Sequence, residues 1–221
     1  MMENEPRVAI AANNNADLYE AVFASHSVKY ERTPLALIAI DPPPPFYANH
    51  TILSPDHDEL ITPPTSGKMV IKDSFSKLDL KHSGFQTLFG ATWIWHGGTD
   101  PTQTDWQRVE TDADLLRWET VWKASGSSTE KRMFNAKILA NPTIHCVARI
   151  ADGVITAGGI ANQSQDSIGM SNVFATQPSP EIFAQARSAV ASINPNTPIV
   201  GYESRPDLKF AQSAGFQAIG E

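Results

Sequence analysis

Three neighbouring stretches decide the fold: Thr143-Ile144-His145-Cys146-Val147-Ala148-Arg149, then Val154-Ile155-Thr156-Ala157-Gly158-Gly159-Ile160-Ala161-Asn162, then Ile168-Gly169-Met170-Ser171-Asn172-Val173-Phe174. The first reads as a strand. Asp152-Gly153 follows as a hairpin turn of the kind that tolerates positive φ. The second stretch returns, and residues 167–175 make a third strand, so an antiparallel meander is expected. Downstream, Ser179-Pro180-Glu181 supplies a cap, a proline at the first helical position and an acid in the first turn. Ile182, Ala186, Ala189, Val190 and Ile193 then keep helical spacing. A strand at 199–201, a helix at 207–214 capped by Gly215, and a last strand from Phe216 complete this half. Little chain is left for that last strand, so a partner or a neighbouring segment is expected to complete the sheet edge.

Upstream, Asp112 or Asp114 caps a helix whose Leu115, Trp118 and Trp122 share one face, a core stripe. The polar run Gly97-Gly98-Thr99-Asp100-Pro101-Thr102-Gln103-Thr104-Asp105 reads as a linker, with the division drawn at 99–106. Before it, residues 1–15 end in Asn13-Asn14-Asn15 and read as a loose arm, followed by a helix over 17–27. Strands are expected at 35–40, 46–53 and 69–71, a helix at 75–83 closed by Gly84, and the strongest strand signal of this half at 85–95. The division is then 16–98 and 107–221.

Composition bounds the function. The chain has 221 residues, with 24 acidic against 17 basic side chains, a net charge of -7. That balance, without a basic cluster, argues against nucleic acid or an anionic membrane as partner. No run approaches the ~20 apolar residues of a membrane span. The start lacks the basic and apolar regions of a secretory signal, so a cytoplasmic protein is expected. One cysteine, Cys146, excludes an intrachain disulfide framework and a multi-cysteine zinc site. It shares a strand with His145 but faces the other side, so the two make no nucleophile–base pair.

An internal echo links the halves. Ala48-Asn49-His50 before Ser54-Pro55 matches Ser171-Asn172-Val173 before Ser179-Pro180. Met69-Val70-Ile71-Lys72-Asp73-Ser74 matches Ile199-Val200-Gly201-Tyr202-Glu203-Ser204, and Ser83-Gly84-Phe85-Gln86 matches Ala214-Gly215-Phe216-Gln217. The implied unit is strand, helix, strand, helix, strand, with a shortened first copy.

The second half resembles the GNAT N-acetyltransferases in the order of its elements: capped helix, meander, strand-to-helix step, strand, helix and an Ala-Gly-Phe turn. The resemblance covers about residues 107–221, with a partial copy in 46–96. It implies an α/β (α+β) fold, a GNAT-like mixed sheet with flanking helices, and an acyl-CoA-dependent N-acetyltransferase acting on a small-molecule or peptide amine. Acetyl-CoA would then bind where the strands ending near Phe174 and Gly201 splay apart. On that reading Asn172, Val173, Phe174 and Ala175 engage the pantetheine and thioester, and Ser179 the phosphates. Glu203 or Tyr202 handles the proton transfers. The phosphate loop of the family is replaced by Ala175-Thr176-Gln177-Pro178-Ser179-Pro180-Glu181. Its prolines remove two N–H donors and Glu181 adds a negative charge, which weakens anion binding. A non-catalytic GNAT-fold module that binds a ligand or partner is the alternative. A homodimer is left open.

Other patterns carry less. Ser-x-x-Lys occurs twice, at Ser74 and Ser128, without companion motifs. His96-Gly97-Gly98 resembles an oxyanion loop but lacks a Gly-x-Ser-x-Gly nucleophile. Asp56-His57-Asp58-Glu59 reads as a solvated loop, and no metal is expected. Trp93 and Trp95 share a strand face, either as core or as the aromatic wall of a pocket.

Overall fold

A computed structural model describes residues 4–58, 61–64, 67–204 and 206–221. Glu59 of the acidic loop and the first three residues lie outside them. The chain opens with helix α1 (Glu5–His26), then a small sheet of β1 (Tyr30–Arg32), β2 (Ala36–Ala39), β3 (His50–Ile52) and β4 (Ile71–Lys72) in that order. Next come β5 (Thr92–His96), β6 (Trp106–Arg108), α2 (Asp112–Ala124), α3 (Ala136–Leu139), β7 (Ile144–Ala151), β8 (Val154–Gln163) and β9 (Ile168–Ala175). Then α4 (Pro180–Ala191), β10 (Ile199–Glu203), α5 (Asp207–Ser213) and β11 (Gln217–Gly220) end the chain.

The main sheet has seven strands in the order β11-β5-β10-β9-β8-β7-β6. The expected meander is present as β7-β8-β9, antiparallel throughout. Beside it β10 runs parallel to β9. The sheet edge is completed from within the chain, because β5 inserts antiparallel between β10 and β11. Period-two alternation along β5 sends Trp93 and Trp95 into one core and Ile94 into the other. The first core holds α1 and α2 with Trp118 and Phe134, and the second holds α4 and α5 with Phe183 and Phe216. The fold is therefore a mixed α/β sheet flanked by helices on both faces. Leu115, Trp118 and Trp122 form a buried stripe as expected, and Cys146 is buried, its thiol pushed up to about 12 by that burial.

Several elements differ from expectation. The arm is a helix: α1 begins at Glu5 and runs through the three asparagines. Its buried Val8, Ala11, Ala12, Asn15, Leu18, Tyr19, Val22 and Phe23 keep the i, i+3, i+4, i+7 spacing of one face. Asn14, 2% exposed, is satisfied from outside the helix. Its amide donates to Ser167 Oγ at 3.1 Å and Ser164 Oγ at 3.0 Å, and it accepts from Asn162 Nδ2 at 2.9 Å. Tertiary bonds therefore override the loop preference of asparagine. Gly169 lies beside this network, where a Cβ would fall 2.1 Å from Asn14 Oδ1. Asn14→Ala is expected to cost about 1–3 kcal/mol by removing the buried amide that ties Asn162, Ser164 and Ser167 together, read as a lower midpoint in urea unfolding. An unchanged midpoint would show the network to be dispensable.

The expected helix at 75–83 is absent, and only a 3-10 turn, Lys81–Ser83, forms there. The strand at 85–95 shrinks to β5, because only that segment meets β10 and β11. The first region thus does not repeat the strand–helix–strand unit. What the two regions do share is a turn. Phe85 N–H bonds the Leu80 carbonyl and Phe216 N–H the Ala211 carbonyl, with Gly84 at φ +82 and Gly215 at φ +90. That left-handed backbone explains the glycines. The polar stretch 99–106 connects β5 and β6, two strands of one sheet, and packs on α4 through Thr102 N–H to Ser188 Oγ at 2.7 Å. The division expected there does not separate two sheets.

Candidate functional site

Two irregularities in the main sheet open a cavity. β9 and β10 pair only at Ile199↔Ile168 and Val200↔Gly169, after which they part. On the other side of β9, Ile160 pairs with Ser171 and Gly158 with Phe174. Two residues, Asn172 and Val173, therefore oppose the single Gly159, which makes a β-bulge. Asn172 takes φ 51, a left-handed conformation that asparagine tolerates better than most residues. Such a bulge takes one residue out of the ladder.

The cavity in the cleft has a volume of about 200 Å³. Ser171, Asn172 and Val173 line it from β9, and Tyr202, Glu203 and Ser204 from the end of β10. Opposite them stand Asn15, Leu18 and Tyr19 of α1, with Trp122 and Phe134. Phe46, Tyr47, Phe89 and Ala91 complete the wall. Of the residues expected at the site, Asn172, Val173, Tyr202 and Glu203 meet here. Phe174, Ala175 and Ser179 do not line the cavity. The Phe174 ring turns into the core, 4.9 Å from Trp118 and edge-on to it, and Ala175 is buried at the strand end. Ser179 caps α4, its Oγ accepting from Ile182 N–H at 3.3 Å.

Glu203 is half-buried and bonded into the sheet opposite Thr92. Burial pushes its carboxyl up to about 8, and the negative charge of Asp207 adds to the rise. Tyr202 is raised by burial, although a hydrogen bond with the Tyr19 hydroxyl works the other way. Tyr202 is also held from a direction the sequence did not announce. Lys72, on β4 of the small sheet, stands 3.4 Å from its ring centroid, 4.6 Å from that of Trp93, and donates to Asn15 Oδ1 at 2.6 Å. Burial lowers the Lys72 ammonium well below the ordinary lysine range. A carboxyl poised near neutrality beside a distorted strand is an arrangement suited to proton transfer.

Lys72, Tyr19, Asn15 and the aromatic residues Phe46, Tyr47 and Phe89 escaped sequence reasoning. The one signal for Lys72 was its place in the block that echoes Ile199-Val200-Gly201-Tyr202-Glu203-Ser204. Among the described residues no group of three His, Cys, Asp or Glu is placed to hold a metal ion, and no helix is long and apolar enough to cross a membrane.

No protein-family model and no curated protein matches the sequence. Solved structures to which the chain is similar include a protein assigned to the GNAT acetyltransferase family from Novosphingobium aromaticivorans, at 8% identity and a TM-score of 0.43. The match covers 59% of this chain and 61% of that one. A GCN5-related N-acetyltransferase from Kribbella flavida matches at 10% identity and a TM-score of 0.43, over 60% of this chain and 55% of that chain. A conserved protein of unknown function from Staphylococcus epidermidis matches at 10% identity and a TM-score of 0.40, over 63% of this chain and 61% of that chain. The chain thus spans less than two thirds of each of these structures.

Proposed function

We propose that the chain is a divergent GNAT-fold N-acetyltransferase that moves an acetyl group from a thioester, acetyl-CoA, to an amine. The observation that carries this reading is Glu203, its carboxyl raised to about 8, lining the same cavity as the bulged Asn172 and Val173. A thioester needs donors for the oxyanion that develops on its carbonyl, and a bulge is one way to free backbone N–H groups for that task. The neutral amine nitrogen attacks the carbonyl carbon, so a C–N bond forms and the C–S bond breaks. Glu203 takes the proton from nitrogen and the Tyr202 hydroxyl protonates the leaving thiolate. The proton on Glu203 then returns to the Tyr202 phenolate through solvent, which restores both groups.

The phosphate end of acetyl-CoA is less well provided for. At the N-terminus of α4, Pro180 has no N–H and that of Ile182 is already bonded to Ser179. Glu181 stands beside them. Few donors remain for an anion there. This favours a second reading, a non-catalytic GNAT-fold module that binds a ligand or partner in the same cavity.

Titration calorimetry with acetyl-CoA, followed by mass spectrometry of an amine mixture, separates the two. Under the first reading heat is released, the melting temperature rises at millimolar ligand, and acetylated amine accumulates. No heat and no thermal shift at millimolar acetyl-CoA overturn it.

A further inference from the structure

We infer that the cavity takes a primary ammonium carried on an aromatic ring, with no carboxylate next to the nitrogen. The inference rests on the acetyltransferase reading for the transfer step, but not for binding. Its basis is the composition of the wall. Seven of the lining residues are aromatic, Glu203 supplies a carboxyl, and none of the described lining residues is basic. Aromatic faces attract a cation and stack on another ring, and the Glu203 carboxyl, held ionised by the opposite charge of a bound ammonium, fixes the nitrogen. The net charge of -7 favours a cationic over an anionic ligand at long range.

The rim adds an independent observation. Phe46 and Phe89 are 57% and 69% exposed, although both are large and apolar. Phe46 holds φ 72, a left-handed backbone that a bulky side chain rarely adopts. It follows Pro42-Pro43-Pro44-Pro45 and places its ring edge-on to Trp122, at 5.8 Å. Strain of this sort is retained at ligand clamps. Two exposed rings over an aromatic interior make a slot for a flat apolar body.

The same wall discriminates. The carboxylate of a free amino acid would meet Glu203 with no basic side chain among the described lining residues to offset it, since Lys72 is turned to Asn15 and the Tyr202 ring and burial favours its neutral form. A polyamine would bring a second ammonium against rings with no carboxylate partner. A volume of about 200 Å³ suits one ring with a short amine arm. A free arylalkylamine and the N-terminal aromatic residue of a peptide present this same chemistry.

The test follows tryptophan fluorescence, since Trp122 lines the cavity, during titration with 2-phenylethylamine, phenylalanine amide, phenylalanine, n-butylamine and spermidine. At least tenfold tighter binding of one of the first two than of the last three is expected. Which of those two binds better separates a free amine from a peptide N-terminus. Phe89→Ala, at an exposed position, should weaken that binding tenfold with the melting temperature unchanged. Equal or tighter binding of phenylalanine or spermidine overturns the inference, as does binding of none, or no response to Phe89→Ala. A parallel assay adds acetyl-CoA to each amine. Tight binding without transfer sinks the acetyltransferase reading and leaves this one standing. Transfer mainly to aliphatic or anionic amines does the reverse.

Discussion

Glu203→Gln is expected to lower acetyl transfer by roughly 10²–10⁴-fold, the range for loss of a positioned base, and at the same time to stabilise the protein at alkaline pH. Both effects come from one cause. Burial and Asp207 raise the folded carboxyl from 4.5 to about 8. Between those values the folded chain holds a proton that the unfolded chain has released. Stability from this group is therefore fully present below the unfolded value and is lost as pH rises through about 8. Glutamine removes the buried charge and with it the loss. Allowing for solvent at a half-buried side chain, the gain at pH 9 is on the order of 1–3 kcal/mol, or about 2–4 °C in melting temperature per kcal/mol. Melting curves at pH 5, 7 and 9 should diverge from wild type as pH rises. A constant offset would mean that the carboxyl titrates normally. On the acetyltransferase reading, kcat/KM of the wild-type protein should climb as the pH passes about 8, and a flat profile would remove Glu203 as the base.

Trp118→Ala should be the most damaging of the single core truncations, at about 3–5 kcal/mol. The ring is fully buried and meets Phe134 at 5.4 Å and Phe174 at 4.9 Å. Its Nε1 donates to the Val147 carbonyl at 2.9 Å, so truncation empties a large volume and strands an acceptor. Gly158 has no Cβ because one would fall 2.3 Å from that nitrogen. The expected drop in melting temperature is on the order of 10 °C. The site should suffer too, since Phe174 anchors β9 just past the bulge at Asn172. Trp118→Phe should recover most of the packing but not the hydrogen bond. A truncation that costs less than about 1 kcal/mol would show that Phe134 and Phe174 close the gap.

Local signals were enough for the second half. Asp152-Gly153 marks the hairpin, Ser179-Pro180-Glu181 starts α4, and the strand pattern puts Asn172 within β9 and Glu203 at the end of the neighbouring β10. The first half was harder because its elements are defined by distant partners. Asn13-Asn14-Asn15 has loop propensity, and distant partners make helix the better choice: Ser164, Ser167 and Asn162, about 150 residues away, for Asn14, with Arg32 for Asn13 and Lys72 for Asn15. The aromatic run 85–95 predicts a strand, but its length and place depend on β10 and β11. Lys72 could not be assigned from its neighbours, since the rings it faces, Tyr202 and Trp93, come from two other strands.

The insertion of β5 between β10 and β11 bears on how the chain assembles. Trp93 must find Tyr202 and Trp95 must find Val200 and Gln217, pairs separated by more than 100 positions. Loop-closure entropy for such contacts is lost before any pairing compensates it, which slows folding. During synthesis β5 emerges long before either neighbour exists. Its tryptophans are exposed meanwhile, unless α1 and the small sheet shelter them first. The β7-β8-β9 meander can form alone, but the cleft beside Glu203 waits for β10 and β11, which follow β5 by more than 100 residues. The cavity would thus close late and all at once, when an early strand is locked between two later ones.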